Sequence, residues 1–121
     1  MSIPVLVVDD SSLLRTILIR LLPEDKGLEI TQANSGDEML ELLKANEYQV
    51  IFLDLHMPGT DGFQVLETLQ GADKDYNIIA ASADFQPGAQ ERALNLGAKG
   101  FVKKPFDKAE IDETLSKLNI L

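Results

Sequence analysis

Five short apolar runs, each closing on a polar residue and each followed by apolar residues at helical spacing, constrain this chain more than any other feature. Residues 3–8 are β-branched and apolar on both faces, as in a strand covered by helices on both sides, and the run stops at Asp9-Asp10. Ser11 and Ser12 can cap a helix in which Leu13, Leu14, Ile17, Leu18, Leu21 and Leu22 recur until Pro23 ends it. A weakly alternating strand over 28–33 follows. Ser35 and Glu38 then form a capping-box signature before Met39, Leu40, Leu42 and Leu43. The third strand spans 50–53 and ends at Asp54. Turn chemistry at Met57-Pro58-Gly59-Thr60-Asp61-Gly62 leads from it into a helix with Phe63, Leu66 and Leu69 on one face. The fourth strand, 78–81, ends at Ser82. Pro87 suits the first position of its helix, Ala93, Leu94 and Leu96 supply apolar contacts, and Gly97 suits the stop. Phe101 and Val102 form a short fifth strand before Lys103-Lys104-Pro105, and Asp107 with Glu110 caps a last helix bearing Ile111, Leu115 and Leu118.

A strand-then-helix unit repeated five times implies an α/β fold, a doubly wound five-stranded parallel sheet with helices on both faces, because right-handed crossovers allow little else. The 121 residues fit one domain over 1–121, without linker, repeat or low-complexity stretch. A hydrophobic content of 45% supplies a core. Eleven Lys and Arg against 20 Asp and Glu give a net charge of −9, which argues against direct binding of nucleic acid or an anionic membrane. With no cysteine, thiolate nucleophiles, disulfides and Cys-based zinc sites are excluded. The N-terminus lacks a basic n-region and no apolar run approaches the roughly 18 residues of a membrane span, so the expectation is a cytoplasmic protein without membrane insertion.

The polar residues fall where chemistry collects. Asp9 and Asp10 end the first strand, Asp54 the third, Ser82 the fourth and Lys104 the fifth. In open α/β sheets, ligands bind beyond the carboxyl ends of the strands, where the winding direction reverses. Carboxylates gathered there repel unless a cation joins them. Asp10 and Asp54, with a backbone carbonyl and waters, suit Mg²⁺, and Asp9 would assist through water. Lys104 and Ser82 could hold further oxygens, a recipe for phosphoryl transfer onto a carboxylate, and Asp54 is the best nucleophile.

This set, with Met57-Pro58 and Asp61-Gly62 after the central aspartate, resembles the response-regulator receiver domain of the CheY-like type over the whole chain. The resemblance implies the flavodoxin-like strand order 2-1-3-4-5. It also implies that Asp54 accepts a phosphoryl group from a histidine kinase or phosphotransfer protein. Mg²⁺ would be bound by Asp10, Asp54 and the carbonyl of His56, with Asp9 assisting, while Lys104 pairs with the phosphoryl oxygens. Ser82 would be a hydroxyl that swings inward after phosphorylation, coupled to Phe101, which carries no phenolic hydroxyl where chemotaxis regulators commonly have tyrosine. His56 and Asp84 occupy the places where the family tunes phosphoryl lifetime, and Asp84 is a candidate for orienting an attacking water. A downstream protein partner would bind the surface of helix 4, strand 5 and helix 5, including Phe101, Ala93, Lys99 and Lys103. There Lys99, Lys103, Lys104 and Lys108 concentrate positive charge suited to an acidic partner. A shorter likeness, at Asp84-Phe85-Gln86-Pro87 and Lys103-Lys104-Pro105, is to receivers fused to CheC-like phosphatase domains, which leaves room for the natural chain to continue past Leu121.

Three other classes make distinct demands. An aspartate-nucleophile phosphatase wants an acid two residues after the nucleophile, where His56 stands. A flavodoxin-like FMN carrier needs bare N–H groups where the turn after the first strand is acidic. A phosphorylation-independent receiver-like interaction module would keep the fold without using the acceptor.

Overall fold

The apolar runs become neighbouring parallel strands. In the computed structural model, which describes residues 2–72, 74–83 and 87–120, β1 (Ile3–Val8), β2 (Leu28–Ala33), β3 (Val50–Asp54), β4 (Ile78–Ser82) and β5 (Gly100–Lys103) form one sheet in the order β2-β1-β3-β4-β5. Each strand feeds a helix: α1 (Ser12–Leu21), α2 (Gly36–Ala45), α3 (Gly62–Gln70), α4 (Pro87–Asn95) and α5 (Lys108–Lys117). A short 3-10 turn at Glu24–Lys26, closed by Gly27 at φ 71°, was not legible in the sequence.

Strand alternation divides the core. Leu6, Val8, Ile51 and Leu53 face Met39 and Leu43 of α2, Val65 and Leu66 of α3, and Ala93 of α4. Val5, Val7, Phe52 and Ile79 face Leu18 of α1 and Ile111 and Leu115 of α5. Burying each large aliphatic side chain contributes about 1.5–3 kcal/mol, so both helical layers are held by the same sheet. β3 and β4 are buried along their whole length, as central strands with two covered faces must be.

The helix faces differ in detail from the apolar spacing. Only Leu18 of α1 is buried, together with Leu22 just beyond it, whereas Leu13 is 68% exposed and Ile17 38%. These two lie one turn apart on the helix, off the buried stripe. On α4, Leu94 is also exposed, while Ala93 is fully buried. Ala93 is therefore a core residue and does not contribute to a partner surface, contrary to the expectation from sequence.

Capping also departs from the motif. Ser35 accepts the Glu38 N–H, but the Glu38 carboxylate accepts from Asn34 N–H. Asp107 accepts from Glu110 N–H, while Glu110 accepts from Lys103 N–H and so ties α5 to the end of β5. The reciprocal box belongs to α3, between Asp61 and Gln64. It fixes the helix that follows the central aspartate.

Candidate functional site

The sheet reverses its winding between β1 and β3, and their register pairs Val8 with Leu53. Asp9 and Asp54, each one residue further, are thereby brought together at the switch point. Both are buried, whereas Asp10 is exposed at the rim. Ligand oxygens of Asp9, Asp10 and Asp54 all lie within 4.8 Å of one another.

Lys104 lies between the two buried carboxylates. Its Nζ is 2.9 Å from Asp9 Oδ2 and 3.0 Å from Asp54 Oδ1, with the side chain 12% exposed. The pairing follows from the fold, since Lys104 N–H donates to the Ser82 carbonyl and continues the ladder past β5. Asp9 Oδ1 accepts from Ser11 N–H at 2.9 Å, and Asp54 Oδ1 accepts from His56 N–H at 3.2 Å. Arg15 donates to the Asp9 carbonyl and to Gln32, so α1 clamps the end of β1. No sequence motif pointed to Arg15.

Burial pushes the Asp54 carboxyl above its ordinary value of 3.8. The hydrogen bond and charge of Lys104 oppose this, and the neighbouring Asp9 adds to the rise. For Lys104, burial pulls downward but is outweighed by its bonds to Asp9 and Asp54, so the ammonium is held above 10.5. The site therefore holds a firmly charged cation beside a carboxylate that burial disfavours in its ionised form. A bound divalent cation would oppose this rise, and the all-oxygen donor set, with its excess negative charge, fits a hard ion such as Mg²⁺.

Packing around the loop after β3 is tight. A Cβ on Gly62 would meet the Asp54 carbonyl oxygen at 2.5 Å and Leu55 Cα at 2.7 Å, so only glycine lets α3 start this close to the acidic cluster. Ser82 is fully buried at the end of β4, and its Oγ shares a hydrogen bond with His56 Nε2 at 2.9 Å. His56 is exposed in the loop after β3, and no sequence signal pointed to this contact. Phe101 is half-buried against the α2, α3 and α4 layer of the core, and Asp84 lies outside the described residues.

The expected basic surface is smaller than the sequence suggested. Lys104 is withdrawn into the site, Lys99 pairs with Asp75 at 2.8 Å, and Lys108 reaches Asp112 at 3.4 Å. Lys103 is exposed.

Comparison with known proteins agrees with this geometry. The family model described as the response regulator receiver domain matches residues 5–116, and the chain belongs to this family. It is 31% identical to the chemotaxis protein CheY of Halobacterium salinarum, over 93% of this chain and 92% of that protein. It is 32% identical to the sensory/regulatory protein RpfC of Xanthomonas campestris pv. campestris over 98% of this chain, yet spans only 17% of the length of that relative. The solved chemotaxis response regulator CheY4 of Vibrio cholerae superposes with a TM-score of 0.85 at 28% identity, covering 100% of each chain. The chain is thus a CheY-like receiver domain of two-component signalling. Among the described residues no helix is long and apolar enough to cross a membrane.

Proposed function

We propose that this receiver is a phosphorylation switch in which Asp54 accepts a phosphoryl group from a histidine kinase or phosphotransfer protein. The observation that carries this reading is the buried Asp54 carboxylate, ion-paired to Lys104 and flanked by Asp9 and Asp10 at the switch point of the sheet. Asp54 Oδ2, which carries neither the Lys104 nor the His56 bond, is the attacking oxygen. A P–O bond to Asp54 forms as the donor's P–N bond breaks, and the imidazole leaves with a proton. Lys104 is held charged, so it can follow the transferred oxygens and compensate their charge. Ser82 supplies a hydroxyl for the same group, and Phe101 responds to its movement.

Asp9, Asp10 and Asp54, with the His56 carbonyl, are the residues that would hold Mg²⁺, which supplies positive charge for the phosphoryl oxygens when bound. The remaining catalytic work is confined to self-phosphorylation from a phosphodonor and self-dephosphorylation, with His56 and Asp84 tuning the second. The output face is formed by α4, β5 and α5, with Leu94, Lys103 and the half-buried Phe101 available to a protein partner.

The test is incubation with Mg²⁺ and acetyl phosphate, read by intact mass, with Asp54→Asn beside it. One phosphoryl mass that is acid-stable and hydroxylamine-labile is expected on the wild type and none on the variant. An unlabelled wild type that still binds Mg²⁺ overturns the reading in favour of a phosphorylation-independent interaction module.

A further inference from the structure

The hydrogen bond between Ser82 and His56 is the first contact of a chain that leaves the acidic cluster. The His56 imidazole stands edge-on to the Phe63 ring, with centroids 6.2 Å apart and planes at 75°. The Phe63 ring carries the guanidinium of Arg92, 4.1 Å from its centroid, and Arg92 also reaches Glu67 at 3.6 Å. A route of direct contacts therefore runs from Ser82 through the loop after β3 and the first turn of α3 to α4.

A serine hydroxyl has one proton to donate. While that proton is directed at His56 Nε2, it is not available to oxygens arriving on Asp54. We propose that His56 is a positioning residue that latches Ser82 in the resting state. Loading Asp54 draws the hydroxyl away, releases the imidazole against Phe63 and shifts the seat of Arg92 on α4. The latch presupposes the phosphoryl-acceptor reading of Asp54 and adds to it a second route by which the site reaches the output face. This route matters in this chain because Phe101 has no hydroxyl, so its ring can respond to Ser82 only by packing. His56 supplies the polar link, and Arg92 converts a ring displacement into a change at an exposed cation, because attraction of a guanidinium to an aromatic face depends on their alignment.

His56 is the chain's single histidine, so its ring resonances are unambiguous. The resting protein at mildly alkaline pH is expected to show a bare Nε2 and a protonated Nδ1 in long-range proton–nitrogen spectra, and Ser82→Ala to displace the Nε2 signal. Mg²⁺ with beryllofluoride, a mimic of the acyl phosphate, should move Nε2 of the wild type toward its Ser82→Ala position and displace Arg92 Nε. His56→Phe keeps a ring beside Phe63 but removes the acceptor. Losing one such hydrogen bond from the resting state should tighten beryllofluoride binding roughly three- to tenfold. In a Ser82→Ala background the same substitution should change binding less than about twofold, a dependence that a merely structural role for His56 would not produce.

A proton on Nε2, a ring signal indifferent to Ser82→Ala, or a His56→Phe effect that persists without the Ser82 hydroxyl overturns the latch. So does beryllofluoride bound with the imidazole and Arg92 unmoved. That last result leaves phosphoryl acceptance by Asp54 intact. Failure of both beryllofluoride and acetyl phosphate to load Asp54 removes the reading and the latch together.

Discussion

Lys104→Met isolates the electrostatic design of the site. The substitution removes the ammonium bonded to Asp9 and Asp54 and leaves an apolar stem of similar length, so two carboxylates with side chains 5% and 3% exposed face each other unpaired. Removing one member of a buried ion pair typically costs about 3–5 kcal/mol. Protonation sets a ceiling here. Raising the Asp54 carboxyl from its ordinary 3.8 until it is neutral at pH 7 costs about 1.4 kcal/mol per pH unit, or about 4 kcal/mol in all. We expect a loss of about 3 kcal/mol at pH 7 in EDTA, shrinking below about 2 kcal/mol near pH 5, where the proton is more easily supplied. Urea unfolding followed by far-ultraviolet circular dichroism suits a chain without tryptophan. Adding Asp54→Asn to the Lys104→Met protein should restore most of the loss, because only one buried carboxylate then remains beside the methionine. A loss under about 1 kcal/mol that does not vary with pH would refute the claim that Lys104 holds the two carboxylates together.

Four further outcomes follow from the same geometry. Because burial raises the folded-state pKa of Asp54 above 3.8, the folded protein binds this proton more tightly than the unfolded chain, and the group's contribution to stability falls as pH rises between the two values. Asp54→Asn should therefore raise Tm most at neutral pH, with an advantage that narrows toward pH 3.8 in calorimetric scans; a less stable variant at pH 7 contradicts this. Gly62→Ala, whose Cβ would collide with backbone after β3, should cost about 1–3 kcal/mol and weaken Mg²⁺ binding by titration. Gly59→Ala, in open space at φ +75°, should cost only about 1 kcal/mol from backbone strain and leave Mg²⁺ affinity unchanged. Asp61→Ala removes the cap of α3 and one arm of its capping box, and chemical denaturation should show a loss of about 1 kcal/mol.

Much of the fold was legible because its signals are local. The spacing of Leu18 and Leu22, of Met39 and Leu43, and of Ile111 and Leu115 marks helix faces that the core then uses. The errors arose where position on the helix had to be known in three dimensions. Leu13 and Ile17 belong to the same apolar pattern as Leu18 but stay exposed, whereas Ala93 is wholly buried in the core. Asp61 with Gln64 carries the reciprocal capping box, a signal that straddles the turn at 57–62 and the start of α3.

For the site, the sequence by itself determined which residues gather. A parallel sheet sends the ends of all its strands to one edge, so Asp9, Asp10, Asp54, Ser82 and Lys104 had to converge once five strand-then-helix units were present. Only the tertiary structure decided how they pair. Lys104 reaches Asp9 across 95 positions of sequence and Ser82 meets His56 across 26, and both contacts depend on strand register and on the path of the loop after β3. The same packing buries Asp54 and leaves Asp10 exposed. Periodicity is a property of adjacent residues, whereas the partner and protonation of a buried polar group are set by whatever the whole fold places against it.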